Sequence, residues 1–148
     1  MLFNPRPDRE QGKTFLLMLL VITPTLLVIF GATFDLGQVA TGVQIAQQAA
    51  DLGAWEAARM VDVTGFGDDQ EIILRPGAAD EAQYIADDMT GGKMLVTDVY
   101  VIEGDVIVVE GRVCIKTGFL SAFVGKRQAC RLVQGVARAM HGITQEDE

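Results

Sequence analysis

From Phe15 to Phe34 no side chain carries a charge: FLLMLLVITPTLLVIFGATF. A helix needs roughly 20 apolar residues to cross a bilayer, and this run supplies them near the start of a chain of 148 residues. The helical pattern does not stop at Phe34. It continues through DLGQVATGVQIAQQAADLGAWEAARMV, where Gly and Ala recur at three- and four-residue spacing. An apolar span prolonged by an alanine-rich helix predicts a membrane-anchored rod carrying a small head.

Charge orients this rod. Residues 1–14 hold Arg6, Arg9 and Lys13 against Asp8 and Glu10, a net of +1; the whole chain is −8, which leaves −9 beyond the span. Basic residues before a span stay on the cytoplasmic side, so residues 1–14 are read as inside and residues 35–148 as outside. A secretory signal is the competing reading, but its apolar core runs 7–15 residues and ends in a small-x-small site. Here the run is longer, and Gly31-Ala32-Thr33 fits such a site poorly. The acidic head argues against nucleic acid or anionic lipid as partners, since both call for clustered Lys and Arg.

Pro24, near the middle of the span, removes one backbone donor and crowds the preceding turn. Thr23 and Thr25 flank it with hydroxyls able to satisfy freed backbone groups. Beyond the span, Gly42, Ala46, Ala49, Ala50, Gly53, Ala54 and Ala57 define a face of small residues that lets a helix or sheet approach closely, within the subunit or between subunits. Trp55 interrupts that stretch and is expected to pack onto the head's own sheet.

DVTGFGDDQEIILR (62–75) reads as an acidic loop; its spacing does not match a calcium loop. Pro76 suits the first turn of a helix over PGAADEAQYIADDMTGG, with Ala82, Ile85, Ala86 and Met89 on its apolar face and Gly91-Gly92 ending it. The period then changes to that of a strand. MLVTDVYVIE (94–103), a turn at Gly104-Asp105, and VIVVEGRVCIK (106–116) form a hairpin. Ile107, Val109, Val113 and Ile115 share one face of its second strand, and Glu110, Arg112, Cys114 and Lys116 the other. TGFLSAFVG follows, with Phe119, Leu120, Phe123 and Val124 forming a short helix on the core or a contact surface. RQACRLVQGVARA (127–139) is the third strand.

The fold class is therefore α+β: a long transmembrane helix continuing into a soluble helix, packed with a short helix on a three-stranded antiparallel sheet. The expected organisation is a tail at 1–14, a span at 15–34, a helical extension at 35–62, a head at 63–140 and a polar end at 141–148. Cys114 and Cys130 fall on neighbouring strands in the outer part, where a disulfide is permitted. A bridge is the favoured reading and two half-buried free thiols the other.

No catalytic constellation emerges. His141 is the only histidine and Ser121 the only serine, and neither sits in a pattern that would make it a ligand or nucleophile. No cofactor, metal or small-molecule substrate is expected, and the chain is not read as an enzyme.

The stretch from Arg9 to Val61 resembles the N-terminal region of TadE/TadG-like proteins of the tight-adherence (Flp) pilus system. The residues that carry the likeness are REQGK with Gly12, the span with Pro24, Phe34-Asp35-Leu36-Gly37, and QQAADLGAWEAAR. Val106–Val113, GFLSAFVG and VQGVARA are similar to the family's strand, apolar loop and closing strand. The resemblance implies a pilin-like fold and a non-catalytic minor pilin or pilus-assembly component, partnered by the membrane, pilin-like subunits and assembly proteins. The alternative is a single-span extracellular binding module outside any filament. In family members cut by a prepilin peptidase, a Glu stands five residues after the cleavage-site Gly; here that place holds Leu17, which is closer to unprocessed, TadG-like members or to a divergent TadE-like one.

Overall fold

A computed structural model describes residues 9–62, 73–102, 105–125 and 127–139. One helix dominates. α1 runs unbroken from Arg9 to Arg59, 51 residues, which is about 77 Å at 1.5 Å per residue. Its N-terminal part projects alone, with the apolar side chains from Phe15 to Ile22 exposed. Its C-terminal part is the spine of the head.

Pro24 is held inside this helix without ending it. The hydroxyl of Thr25 donates to the Val21 carbonyl at 2.8 Å, and that of Thr33 to the Ile29 carbonyl at 2.8 Å. Back-bonding of this kind keeps hydroxyls satisfied where no water is present. The Thr25 hydroxyl thus goes to Val21 and not to the Leu20 carbonyl, the group that Pro24 leaves without its helical donor.

Val61–Asp62 (β1) and Ile73–Leu74 (β2) then pair antiparallel as a two-residue ladder. The ends of the expected 62–75 loop are therefore strand; its interior, and the calcium-loop candidates in it, lie outside the described residues. α2 follows at Ala78–Thr90. Pro76 does not enter its first turn as expected. It stands before Gly77, whose φ of 103° is a left-handed conformation that breaks helical continuity there and suits glycine.

β3 (Met94–Ile102), β4 (Val106–Lys116) and β5 (Gln128–Arg138) form an antiparallel meander in the order β3-β4-β5. Between β4 and β5 lies the short helix α3, Phe119–Val124. The β3–β4 register slips between Val96 and Asp98. The slip has a visible purpose in the side-chain pattern: Met94 and Val96 point inward before it, Val99 and Val101 after it, so one extra residue is needed to reset the phase. Inward residues of β4 are those expected, Ile107, Val109, Val113 and Ile115, all buried.

The core lies between this sheet face, α2 and α1. Three clusters stack along α1: Ala57 with Ala78 and Ile107, then Ala54 with Ala82 and Val109, then Ala46, Ala49 and Ala50 with Ala86, Val113 and Val133. The order shows α2 and β4 running antiparallel to α1. The largest fully buried side chains all belong to central β4: Ile107, Val108, Val109 and Val113. Burying each stabilises by about 1.5–3 kcal/mol.

Candidate functional site

No cluster of three metal-binding side chains occurs among the described residues; the structure's chemistry is that of packing and of a boundary. The boundary is at Asp35, the first charge after the apolar run. Its carboxylate is 3% exposed. It accepts hydrogen bonds from the Gly118 N–H (Oδ1, 3.2 Å) and the Leu120 N–H (Oδ2, 2.6 Å). These donors belong to the start of α3, where helical N–H groups lack partners of their own. Charge-assisted bonds of this type are the stronger ones, so Asp35 pins α3 to α1. One turn down α1, the Phe119 ring occupies the space that a Cβ on Gly31 would take. Phe119 and Leu120 are half-buried; the side chains of Phe123 and Val124 lie outside the described residues.

Each small residue of α1 is now placed. Ala46, Ala49, Ala50, Gly53, Ala54 and Ala57 are buried inside the subunit, and Gly42 is half-buried under Ile115. A Cβ on Gly53 would stand 3.4 Å from the Ala82 Cβ. The face is thus taken up by the molecule's own sheet and α2.

Trp55 departs from expectation. It does not pack on the sheet but is 60% exposed. The sheet meets α1 on the side of Ala50, Gly53, Ala54 and Ala57, and an indole next to Ala54 in sequence is rotated about 100° away from it. Trp55 joins Leu52, also exposed, on the outer side of α1. Met89 departs likewise. It is exposed, and Thr90 takes the buried place after Ala78, Ala82 and Ala86. Thr90 tolerates burial because its hydroxyl donates to the Ala86 carbonyl and accepts from the Lys93 and Met94 N–H groups, both at 3.2 Å.

Two polar side chains unmarked in the sequence hold the sheet. Gln83 of α2 accepts from Val96 N–H (2.8 Å) and donates to the Met94 carbonyl (3.2 Å), acting on β3 as a short neighbouring strand would. Gln47 of α1 donates to the Gln134 carbonyl of β5 at 2.6 Å. Both fall among polar helix positions that periodicity alone assigns to solvent. On the opposite side of the sheet Cys114 and Cys130 are direct partners across β4 and β5. They are joined as a disulfide, S–S 2.09 Å.

Where α1 leaves the head, an open groove of about 870 Å³ lies between Phe30, Phe34 and Thr41 on one side and Met89, Lys93 and Ile115 on the other. It begins at the end of the apolar run and reaches the lower edge of the sheet.

Residues 12–60 match a family described as "Putative Flp pilus-assembly TadE/G-like". Over its N-terminal helix the chain is similar to this family. The matched segment coincides with nearly all of α1 and closes at Met60, so the TadE/G-like region is the apolar span together with the small-residue spine. The sheet, α2 and α3 lie beyond it. The matched segment lies within a helix long and apolar enough to cross a membrane, with mean hydropathy 2.6 in its most apolar window. No curated protein matches the chain, and no solved structure does.

Proposed function

We propose that this chain is a minor pilin or pilus-assembly component of a tight-adherence system, anchored by residues 15–34 with residues 1–14 in the cytoplasm and the head outside. The observation that carries this reading is the division of labour along α1. One TadE/G-like helix is bare and apolar over its first half and roofed by its own head over its second. A bare apolar helix can be covered by lipid or by like helices with comparable ease, since neither exposes it to water. The Cys114–Cys130 bridge supports an outward head, since disulfides persist in oxidising compartments.

The small-residue face is spent within the subunit, so contacts to other subunits fall to exposed side chains of α1, among them Leu36, Ile45, Leu52 and Trp55. Cysteines placed at 36, 45 and 52, in cells carrying the neighbouring pilus genes, are expected to crosslink to pilin-like subunits, and the protein is expected in sheared surface material. A head that crosslinks to nothing and stays wholly in membranes is instead the single-span binding module. Leu17 keeps the span free of charge, and N-terminal sequencing of the protein from cells is expected to find the tail in place.

A further inference from the structure

The head is acidic in sum, but its charge is not spread evenly. β4 ends at Lys116, and β5 begins just after Arg127, whose carbonyl accepts from the Thr117 N–H at 3.2 Å. Both basic side chains are exposed and flank α3 at the lower edge of the sheet. Depth along α1 can be read from contacts. Ile115 lies on Gly42, Gly118 on Asp35, and Phe119 on Gly31. At 1.5 Å per residue, Ile115 stands about 10 Å above Asp35 and Phe119 about 5 Å below the last apolar residue, Phe34. The headgroup layer on each side of a bilayer is roughly 5–8 Å thick. Lys116 and Arg127, between Ile115 and Gly118, therefore fall at the level of the phosphates, with α3 beneath them. The carboxylate at that level, Asp35, is buried and bonded to α3, while Asp87 and Asp88 sit higher, one turn before the end of α2.

We infer that the lower edge of the head is a lipid-binding surface: α3 enters the interface of the bilayer that α1 crosses, and Lys116 and Arg127 bind the phosphates of anionic phospholipids. An apolar tip between two cations is the arrangement that interfacial segments use, apolar side chains in the acyl boundary and basic ones in the headgroups. The groove beside Phe30 and Phe34, with Lys93 at its mouth, continues the same surface along the span. The negative net charge does not oppose this, because screening confines each charge to roughly 8–10 Å and, among the described residues, Asp87 and Asp88 lie farther up the head.

The inference rests on α1 spanning the membrane, and the test separates the two. In the full chain, Trp55→Phe removes the single native tryptophan, and a new one is placed at exposed Ala122 in α3 or at Leu20 in the span. Both are reconstituted in vesicles of acyl-brominated phosphatidylglycerol. Quenching at both positions, with Lys116→Gln/Arg127→Gln or brominated phosphatidylcholine weakening it at 122 but not at 20, is the expected result. Quenching at 20 alone overturns the surface and leaves the span standing; quenching at neither overturns both. Quenching at 122 indifferent to lipid charge and to the double substitution removes the phosphate contact. Protection at 122 that grows with the protein-to-lipid ratio assigns the face to a second copy and overturns the proposal. A lipid-borne photolabel on the unsubstituted chain, expected to mark the peptide from 117 to 125, guards against a folding defect in the tryptophan variants.

Discussion

Gly135 of β5 lies directly against the backbone of Ala50 in α1, so close that a Cβ built on Gly135 would overlap the Ala50 carbonyl. The contact sets how near the sheet comes to the helix. The apolar residues on either side, Val133 and Ala137, are buried because of it. Gly135→Ala is expected to push β5 off α1 and to cost about 1–3 kcal/mol, the range for overpacking a filled core. Denaturant unfolding of the full chain in detergent measures it. A midpoint within error of the native one would mean that α1 and β5 can separate freely here.

Asp35 is the link between span and head. Asp35→Ala removes the acceptor for two α3 N–H groups and leaves an uncapped helix start, a loss of about 1–3 kcal/mol when the groups stay buried. The expected signature is local: faster hydrogen exchange at the Gly118 and Leu120 amides, with the β4 amides near Val109 little changed. Uniform loss of protection across the head would show that Asp35 supports the whole fold rather than α3.

What could be read beforehand followed from repetition. The apolar run, the alanine spacing and the alternation in β4 each repeat over many residues, so the span, the spine and the inward face of the sheet were legible. The anchor points were not. Asp35, Gln83 and Gln47 are single polar residues whose partners lie 85, 13 and 87 positions away, and no local period marks such a pairing. Trp55 is expected on the sheet because a large aromatic ring stabilises most when buried, whereas the close approach at Gly135 leaves room only for small side chains on that side of α1. The lower edge of the head was hidden by averaging: a net charge of −9 beyond the span says nothing about where Lys116 and Arg127 stand relative to α3.

Tyr100 of β3 and Glu110 of β4 are diagonal neighbours joined by a side-chain hydrogen bond. The Tyr100 hydroxyl donates to Glu110 Oε1 at 2.8 Å, and this bond, with the nearby negative charge, raises the phenol's pKa above its ordinary 10.0. The fold thus holds the proton more tightly than the unfolded chain does. By linkage, the contribution to stability is present below about pH 10 and lost as pH rises through the raised value. In a Tyr84→Phe background, phenolate absorbance is expected to appear at higher pH than in the same chain carrying Glu110→Gln. Coincident titrations would dissolve the pair.

The Cys114–Cys130 bridge spans 16 residues and encloses α3. Closing a loop of that length removes unfolded-chain entropy worth about 3 kcal/mol. Reduction is therefore expected to lower the unfolding midpoint of the head substantially, and Cys114→Ser/Cys130→Ser to lower it as far, with no further effect of reductant on the double variant. The β4–β5 ladder continues from Val106 to Val113 without the bridge, so the sheet itself is expected to persist at low denaturant. The part that loosens first is the end beyond Cys114, where Asp35 and Gly31 hold α3. Reduction should thus speed exchange at the Leu120 amide before it affects Val109. A midpoint insensitive to reductant would show that the strand pairing alone holds this end together.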